Sequence, residues 1–570
     1  MSIRGKLLTA LAHVNTIGNS RTTAIHSLPP EILARIFIAN MPTFQTQASE
    51  SLEASAQECA SILRFETKRG WSAFDLSAVC RYWRAVAIDL PTLWTLFPFK
   101  SPREGGSVKS RQPAIERGLE LAKLLLERSR DVPLDLVIQK QDKKTNRRIY
   151  ECFAGNEPQI RSLMMSDLTC DGSGRSRPLD RWNVPNLQAL VLHATRSQSN
   201  SFVANFDKPR PSLSYLELRS VPQWMGHGVG NLTTLVLRSD SSASMSYAQF
   251  FDFLASTPLL QRLHITAAGP MEYDVAPSLR VHLSRLTEVC IRQPPPLFTA
   301  RFLMSVQPSP HASLLLQDLG WKINQQDITT TFGALAQLEE FQNVHVVRFL
   351  HTEGRSDHNS RLDVTFASET LTITLTFTDS DMLFARTSQA FCALLDSCEI
   401  TDLWCGLGDA FFLGNVGVLI RDHMPHLTTL GFYGSTEGFD SMTMNLVSGM
   451  RDVLVRLIDP ALRVPTRDVS WISQALGGDP RFVPHLKEVR VAATRDGSPF
   501  NLTVVQRYLE ERKSAGYQVS RLLLQRCEAY QRLIPMLRAL VGEVEVADES
   551  VFASCRHLKL DDIHSTLYHS

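Results

Sequence analysis

Two hydrophobic rhythms divide the chain. Near its start apolar residues fall at helical spacing, and from about residue 130 onward they recur in a strand-like frame. Ile32, Leu33, Ile36 and Phe37 follow Ser27, Pro29, Pro30 and Glu31, which predicts a short amphipathic helix. Ser27 offers a capping oxygen, a proline pre-sets φ for the first turn, and Glu31 lies near the positive end of the dipole. A helix this short is not stable alone, so its apolar face must find a partner inside or outside the chain. Leu76, Val79, Cys80, Trp83 and Val86 repeat the spacing and predict one second helix, closed at Leu90-Pro91. A polar stretch, roughly Met41–Gly70, separates the two. Within it Ser51–Phe65 reads as an inserted helix, and Met1–Asn15 reads as another short one.

Residues 99–112 read as a linker, and Pro113 as the start of a helix through Leu125 followed by a strand over Val132–Ile138. Beyond it the frame L-x-x-L-x-L recurs, as in Leu187/Leu190/Leu192, Leu213/Leu216/Leu218, Leu260/Leu263/Ile265 and Leu427/Leu430/Phe432. Ile160/Leu163/Met165 begins the series, Cys555/Leu558/Leu560 closes it, and Leu338–Phe341 is a weak copy. Early copies repeat at about 26–28 residues with one shorter step, a leucine-rich-repeat period. Proline two residues ahead of several copies suits a strand start, where no ladder donor is yet required. Tyr247–Ala255 and Leu502–Lys513 read as helices, and Glu369–Thr378 as an alternating strand. The expected fold class is α/β: an N-terminal all-α segment over 25–98 behind a leader (1–24), then an irregular leucine-rich-repeat-like solenoid over 113–570.

Positions between the inward leucines are expected to line an exposed, concave face: Val191, Glu217, Val236, His264, Cys290, Trp404, Gly431 and Arg490. Just beyond each frame stand Arg219, Arg238, Arg292 and Tyr433. Aromatics and arginines anchor interfaces, so Arg219, Arg238, Arg292, Trp404 and Tyr433 are the candidate target-binding residues. The three arginines could favour an acidic or phosphorylated target, but the stronger reading is of solvated edge residues paired with local acids.

Composition narrows the picture. The chain has 570 residues, 44% of them hydrophobic and 21% charged, with a net charge of +1, so no global field points to nucleic acid or a membrane surface. Ten scattered cysteines without Cys-x-x-Cys spacing imply reduced thiols in the cytoplasm or nucleus. Phosphate-loop, dinucleotide and His-Glu-x-x-His signatures are missing, and no nucleophile has a neighbouring base, so no cofactor, metal or enzymatic activity is expected. Cys392, Cys398 and Cys405 lack zinc-ligand spacing and read as core thiols.

The N-terminal motifs carry a resemblance. Leu28-Pro29-Pro30-Glu31-Ile32-Leu33, then Val79-Cys80-Arg81-Tyr82-Trp83-Arg84, then Leu93-Trp94, resemble the F-box, closest to its fungal F-box-like group. The match covers about seventy residues and departs from the pattern in the insertion at 41–70. The resemblance implies a substrate-recognition subunit of an SCF-type cullin–RING ubiquitin ligase. Leu28, Pro29, Ile32, Leu33, Ile36, Phe37, Val79, Cys80 and Trp94 would face a Skp-type adaptor, and the repeats would hold a protein target. Trp83 has two readings, touching the adaptor or knitting the helices together. The alternative for the whole segment is a non-ligase scaffold in which these helices pack only within the chain.

Overall fold

The computed structural model describes residues 28–40, 73–99, 108–138, 143–166, 183–194, 203–205, 209–221, 223–225, 228–238, 246–268, 280–294, 297–317, 325–352, 361–378, 389–406, 422–434, 483, 485–493, 502–525 and 533–547. The expected leader, the helix at 1–15, the whole insertion at 41–70 with its helix at Ser51–Phe65, and the closing Cys555/Leu558/Leu560 copy lie outside them. Two compact units, residues 1–245 and 246–570, divide a mixed α/β chain.

The first unit opens with α1 (Pro30–Asn40), α2 (Ala73–Val79) and α3 (Arg81–Ile88), followed by a single 3-10 turn, Pro91–Trp94. The expected second helix is therefore two helices, broken at Cys80. In an unbroken helix Leu76, Val79, Cys80 and Trp83 would share one face. Instead Cys80 adopts extended backbone and caps α3 through its Sγ, so Leu76 and Trp83 are buried while Val79 stays exposed. Nor is the segment wholly helical: it ends in a strand, β1 (Leu96–Phe99), paired in parallel with β2 (Leu134–Ile138). Between them α4 (Val108–Ser129) starts five residues before Pro113, which sits inside it. Near a helix start a proline forgoes at most one intrahelical bond, so it marks the early helix rather than its first residue.

β3 (Ile160–Ser166), β4 (Ala189–His193), β5 (Tyr215–Arg219) and β6 (Thr234–Arg238) continue the sheet in order, all parallel. Their register aligns the frame. Leu136, Leu163, Leu190, Leu216 and Leu235 form one row, and Ile138, Met165, Leu192, Leu218 and Leu237 the next. All are buried, and full burial of such a side chain contributes about 1.5–3 kcal/mol.

In the second unit β7 (Arg262–Thr266), β8 (Glu288–Arg292) and β9 (Ser313–Gln317) run parallel. A hairpin then interrupts. β10 (Val346–Thr352), β11 (Arg361–Ala367) and β12 (Thr372–Thr378) enter in the spatial order β9-β12-β11-β10, and only β11 runs against the rest. Parallel order resumes from β10 to β13 (Asp402–Gly406), β14 (Thr429–Gly434), β15 (Glu488–Ala493), β16 (Arg521–Gln525) and β17 (Glu543–Ala547). On the core side α5 (Tyr247–Ala255), opened by a Ser246/Gln249 capping box, places Phe250 against Phe298 at 5.6 Å. The expected copy at Leu338–Phe341 is instead a 3-10 turn; the strand follows it, with Val344, Val347 and Phe349 inward.

The turn ahead of each strand also corrects the reading of the prolines. Leu187, Leu213, Leu427 and Leu486 each donate an amide to the carbonyl three residues back. Pro185, Pro211 and Pro425 are therefore second in a tight turn, where their fixed φ fits, rather than first in a strand. Behind each turn one carbonyl accepts two amides of the next copy: Gln188 takes Ser214 and Tyr215, and Thr401 takes Thr428 and Thr429. Ser214 and Thr428 hydroxyls donate to the same two oxygens.

Candidate docking surfaces

The N-terminal helices form a small core of their own. Leu33 and Phe37 are fully buried, and the Phe37 ring meets Trp83 at 5.0 Å. Trp83 thus knits the helices together. Trp94 is buried too: it donates Nε1–H to the Ala87 carbonyl at 2.7 Å, meets Phe74 edge-on and lies 4.3 Å beneath the Arg128 guanidinium of α4. Leu33, Phe37 and Trp94 are therefore not presented outward, because this core takes the stripe they share.

The remaining residues of the expected set stay at the surface. Ile32 is 41% exposed and Val79 43%, Pro29 is exposed, and Leu28, Ile36 and Cys80 are half-buried. Pro29, Ile32 and Ile36 recur at i, i+3 and i+7 and so share one side of α1. Ile38 and Ile88 are exposed as well, so four of the eight exposed large apolar side chains among the described residues fall on these helices. The two halves are joined across the insertion. Tyr82 donates its hydroxyl to the Leu28 carbonyl at 2.7 Å, and the Pro29 carbonyl accepts the Ile32 and Leu33 amides.

The face of the sheet opposite the frame differs from expectation. Val191, Glu217, Val236, His264, Cys290, Trp404 and Gly431 are buried and Arg490 half-buried, so the row is not an exposed contact surface. Strands only one ladder spacing apart press neighbouring side chains together and cover them. In the first unit Val137, Met164 and Val191 make an apolar cluster against Leu96 and Tyr215.

Beside that cluster, Glu217 accepts hydrogen bonds from Arg219 Nε at 2.6 Å and from the Tyr215 hydroxyl at 2.9 Å, with Arg238 Nε at 3.4 Å. Burial pushes the Glu217 carboxyl up, but the two guanidiniums and the hydrogen bonds outweigh it and hold the carboxyl below its ordinary value. The Tyr215 hydroxyl is pushed well up, first by burial and then by that carboxylate. Arg219 is thus committed to an internal acid, while Arg238 keeps 38% of its side chain in solvent. Tyr-x-Glu-x-Arg at alternate positions of one strand was a readable signal for this cluster.

In the second unit His264 Nε2 and Glu288 Oε1 lie 2.9 Å apart, the Glu288 carboxyl being lowered chiefly by that contact. Arg292 is half-buried next to the His264 strand. Trp404 leans over Gly431, where a Cβ would collide with its ring, and Arg490 stacks 5.7 Å from that ring while pairing with Glu488. Tyr433 holds ladder position beside Gly406 and Ala492. Of the three cysteines expected in the core, Cys405 is buried while Cys392 and Cys398 are half-buried; burial pushes Cys405 up to about 12, and burial together with Asp396 pushes Cys398 up to about 12.

Among the described residues no set of three metal-capable side chains converges and no helix is long and apolar enough to cross a membrane. No protein-family model matches the chain, and no curated protein is recognisably similar to it.

Proposed function

We propose that the chain is an F-box-like substrate receptor of an SCF-type cullin–RING ubiquitin ligase, with a leucine-rich-repeat-like solenoid as its target-binding part. The observation that carries the reading is the exposed apolar set Pro29, Ile32 and Val79 on helices whose own core is already complete with Leu33, Phe37 and Trp83. Large apolar side chains left exposed on neighbouring segments of a folded domain are the usual mark of an interaction site. In this form of the proposal Pro29, Ile32 and Val79, with Leu28, Ile36 and Cys80 at the margin, touch the Skp-type adaptor. Leu33, Phe37 and Trp94 support them from beneath. The in-register rows of frame residues support the solenoid. Catalysis would be proximity alone, the target being held near a ubiquitin-loaded enzyme of other subunits.

One observation favours the scaffold reading: Trp94 is spent on Ala87 and Arg128 inside the chain. Co-purification separates the two. The ligase reading expects wild type to retain the adaptor and the Ile32→Ala/Val79→Ala pair to lose it; retention unchanged by the pair, or missing from wild type, leaves the scaffold.

A further inference from the structure

We infer that Tyr82 is a positioning residue for the docking face: its hydroxyl pins the Leu28–Pro29 peptide and so fixes how the start of α1 presents Pro29 and Ile32. The inference rests on the docking reading above and concerns a residue that does not itself belong to the expected contact set.

The two halves of the exposed face lie on different helices, separated in sequence by the insertion, so something must hold them in one geometry. Two contacts do so. At the far end of α1, Phe37 packs on Trp83. At its start, the half-buried Tyr82 donates its hydroxyl to the Leu28 carbonyl at 2.7 Å. That carbonyl belongs to the same rigid peptide plane as the Pro29 nitrogen. The first turn of α1 hangs from the next carbonyl, Pro29, through the Ile32 and Leu33 amides at 3.1 Å. Tyr82 and Trp83 are neighbours on α3, while Leu28 and Phe37 are nine residues apart, about 13 Å along a helix. With the hydrogen bond removed, the buried Leu33 and Phe37 still hold α1 in its core, and the residues ahead of Leu33, Pro29 and Ile32, gain the most freedom. The far side of Tyr82 is set by the break at Cys80, where Arg84 Nε also donates back to the Ser77 carbonyl at 2.9 Å. Val79 lies inside that brace. The hydroxyl thus ties the Leu28–Ile32 half of the face to the Val79 half.

Tyr82→Phe removes the hydrogen bond and keeps the ring. In the full chain, affinity for a purified Skp-type adaptor is expected to fall about 3- to 10-fold, the scale of one neutral hydrogen bond, with only a small fall in melting temperature. A cycle with Ile32→Ala separates positioning from general support: in the Ile32→Ala background the penalty of Tyr82→Phe should shrink towards none, because the face it positions is gone. Without any adaptor, hydrogen exchange at the Ile32 and Leu33 amides should quicken in Tyr82→Phe while the amides around Phe37 keep their rates. Unchanged exchange overturns the inference. So does wild-type affinity in Tyr82→Phe where Ile32→Ala is impaired, a result that leaves the docking reading standing. Absence of adaptor binding by wild type overturns both.

Discussion

The N-terminal helices and the parallel ladder treat their apolar positions in opposite ways. On α1 a single stripe of four residues splits, Leu33 and Phe37 into a core and Ile32 and Ile36 towards the surface. In the ladder both faces close. The inward rows bury leucines, and the positions between them, polar ones included, are buried or half-buried as well. Periodicity reports which residues share a face in either region. It does not report whether the face has company. In the helices a second layer exists on one side only; in the ladder each strand brings its own neighbour, so covering is built into the architecture.

The contrast makes the ladder the stability-determining region, and the largest expected effect is there. Leu216→Ala, at a fully buried position between Leu190 and Leu235, should cost about 2–5 kcal/mol in urea unfolding of the full chain. A loss near zero would break the comparison at its root.

Glu217→Gln comes next, because it attacks the face opposite the leucines. Replacing a buried carboxylate that accepts from Arg219 and Tyr215 should cost about 1.5–3 kcal/mol. The sign with pH follows from the direction of the shift. A carboxyl held below its ordinary value in the folded state contributes stability that is complete above the ordinary glutamate range. That contribution is lost as pH falls through the depressed folded value. Wild type should therefore lose more stability than Glu217→Gln on acidification below the ordinary range. Parallel acid curves would remove Glu217 from any role on this face.

Gly431→Ala probes the same face in the second unit. A Cβ there would enter the Trp404 ring, so the substitution should cost about 1–3 kcal/mol. Trp404→Ala in the same chain should recover part of the loss, which a generic strain at residue 431 would not allow.

These sites also show how far the residues alone could be read. The leucine frame predicted most strands because one residue type recurs at fixed spacing. Copies that depart from leucine escaped it: Val344/Val347/Phe349 was missed beside the decoy at Leu338, and Val541/Val544/Val546 ends the described ladder unnoticed. Left-handed residues at Ser220, Ala267 and Gln293 close strands after Arg219, Thr266 and Arg292, yet none is a glycine, so the usual signal was silent. On α1 the apolar residues were all legible, but their division was not. Phe37 packs on Trp83, and Leu28 is held by Tyr82, partners some fifty residues away whose approach no local pattern encodes. The internal pairing of Arg219 was legible nearer by: Glu217, two residues before it on the same face, was counted as a contact residue instead of as its partner.

The smallest expected effect on stability is the one that most sharpens the contrast. Ile32→Ala and Val79→Ala remove apolar atoms that are already more than two-fifths in water and touch no packed row. Surface changes of this kind stay within about 0.5 kcal/mol, so the pair should melt with wild type, whereas Leu33→Ala one residue away should cost about 2–5 kcal/mol. Adaptor retention should follow a different order. The Ile32/Val79 pair should lose it while remaining folded, and Leu33→Ala should lose it only to the extent that the helices loosen. If instead Ile32→Ala destabilises the chain as Leu33→Ala does, both faces of α1 are packed, and the N-terminal helices resemble the ladder after all: closed on both sides, with no face left for a partner.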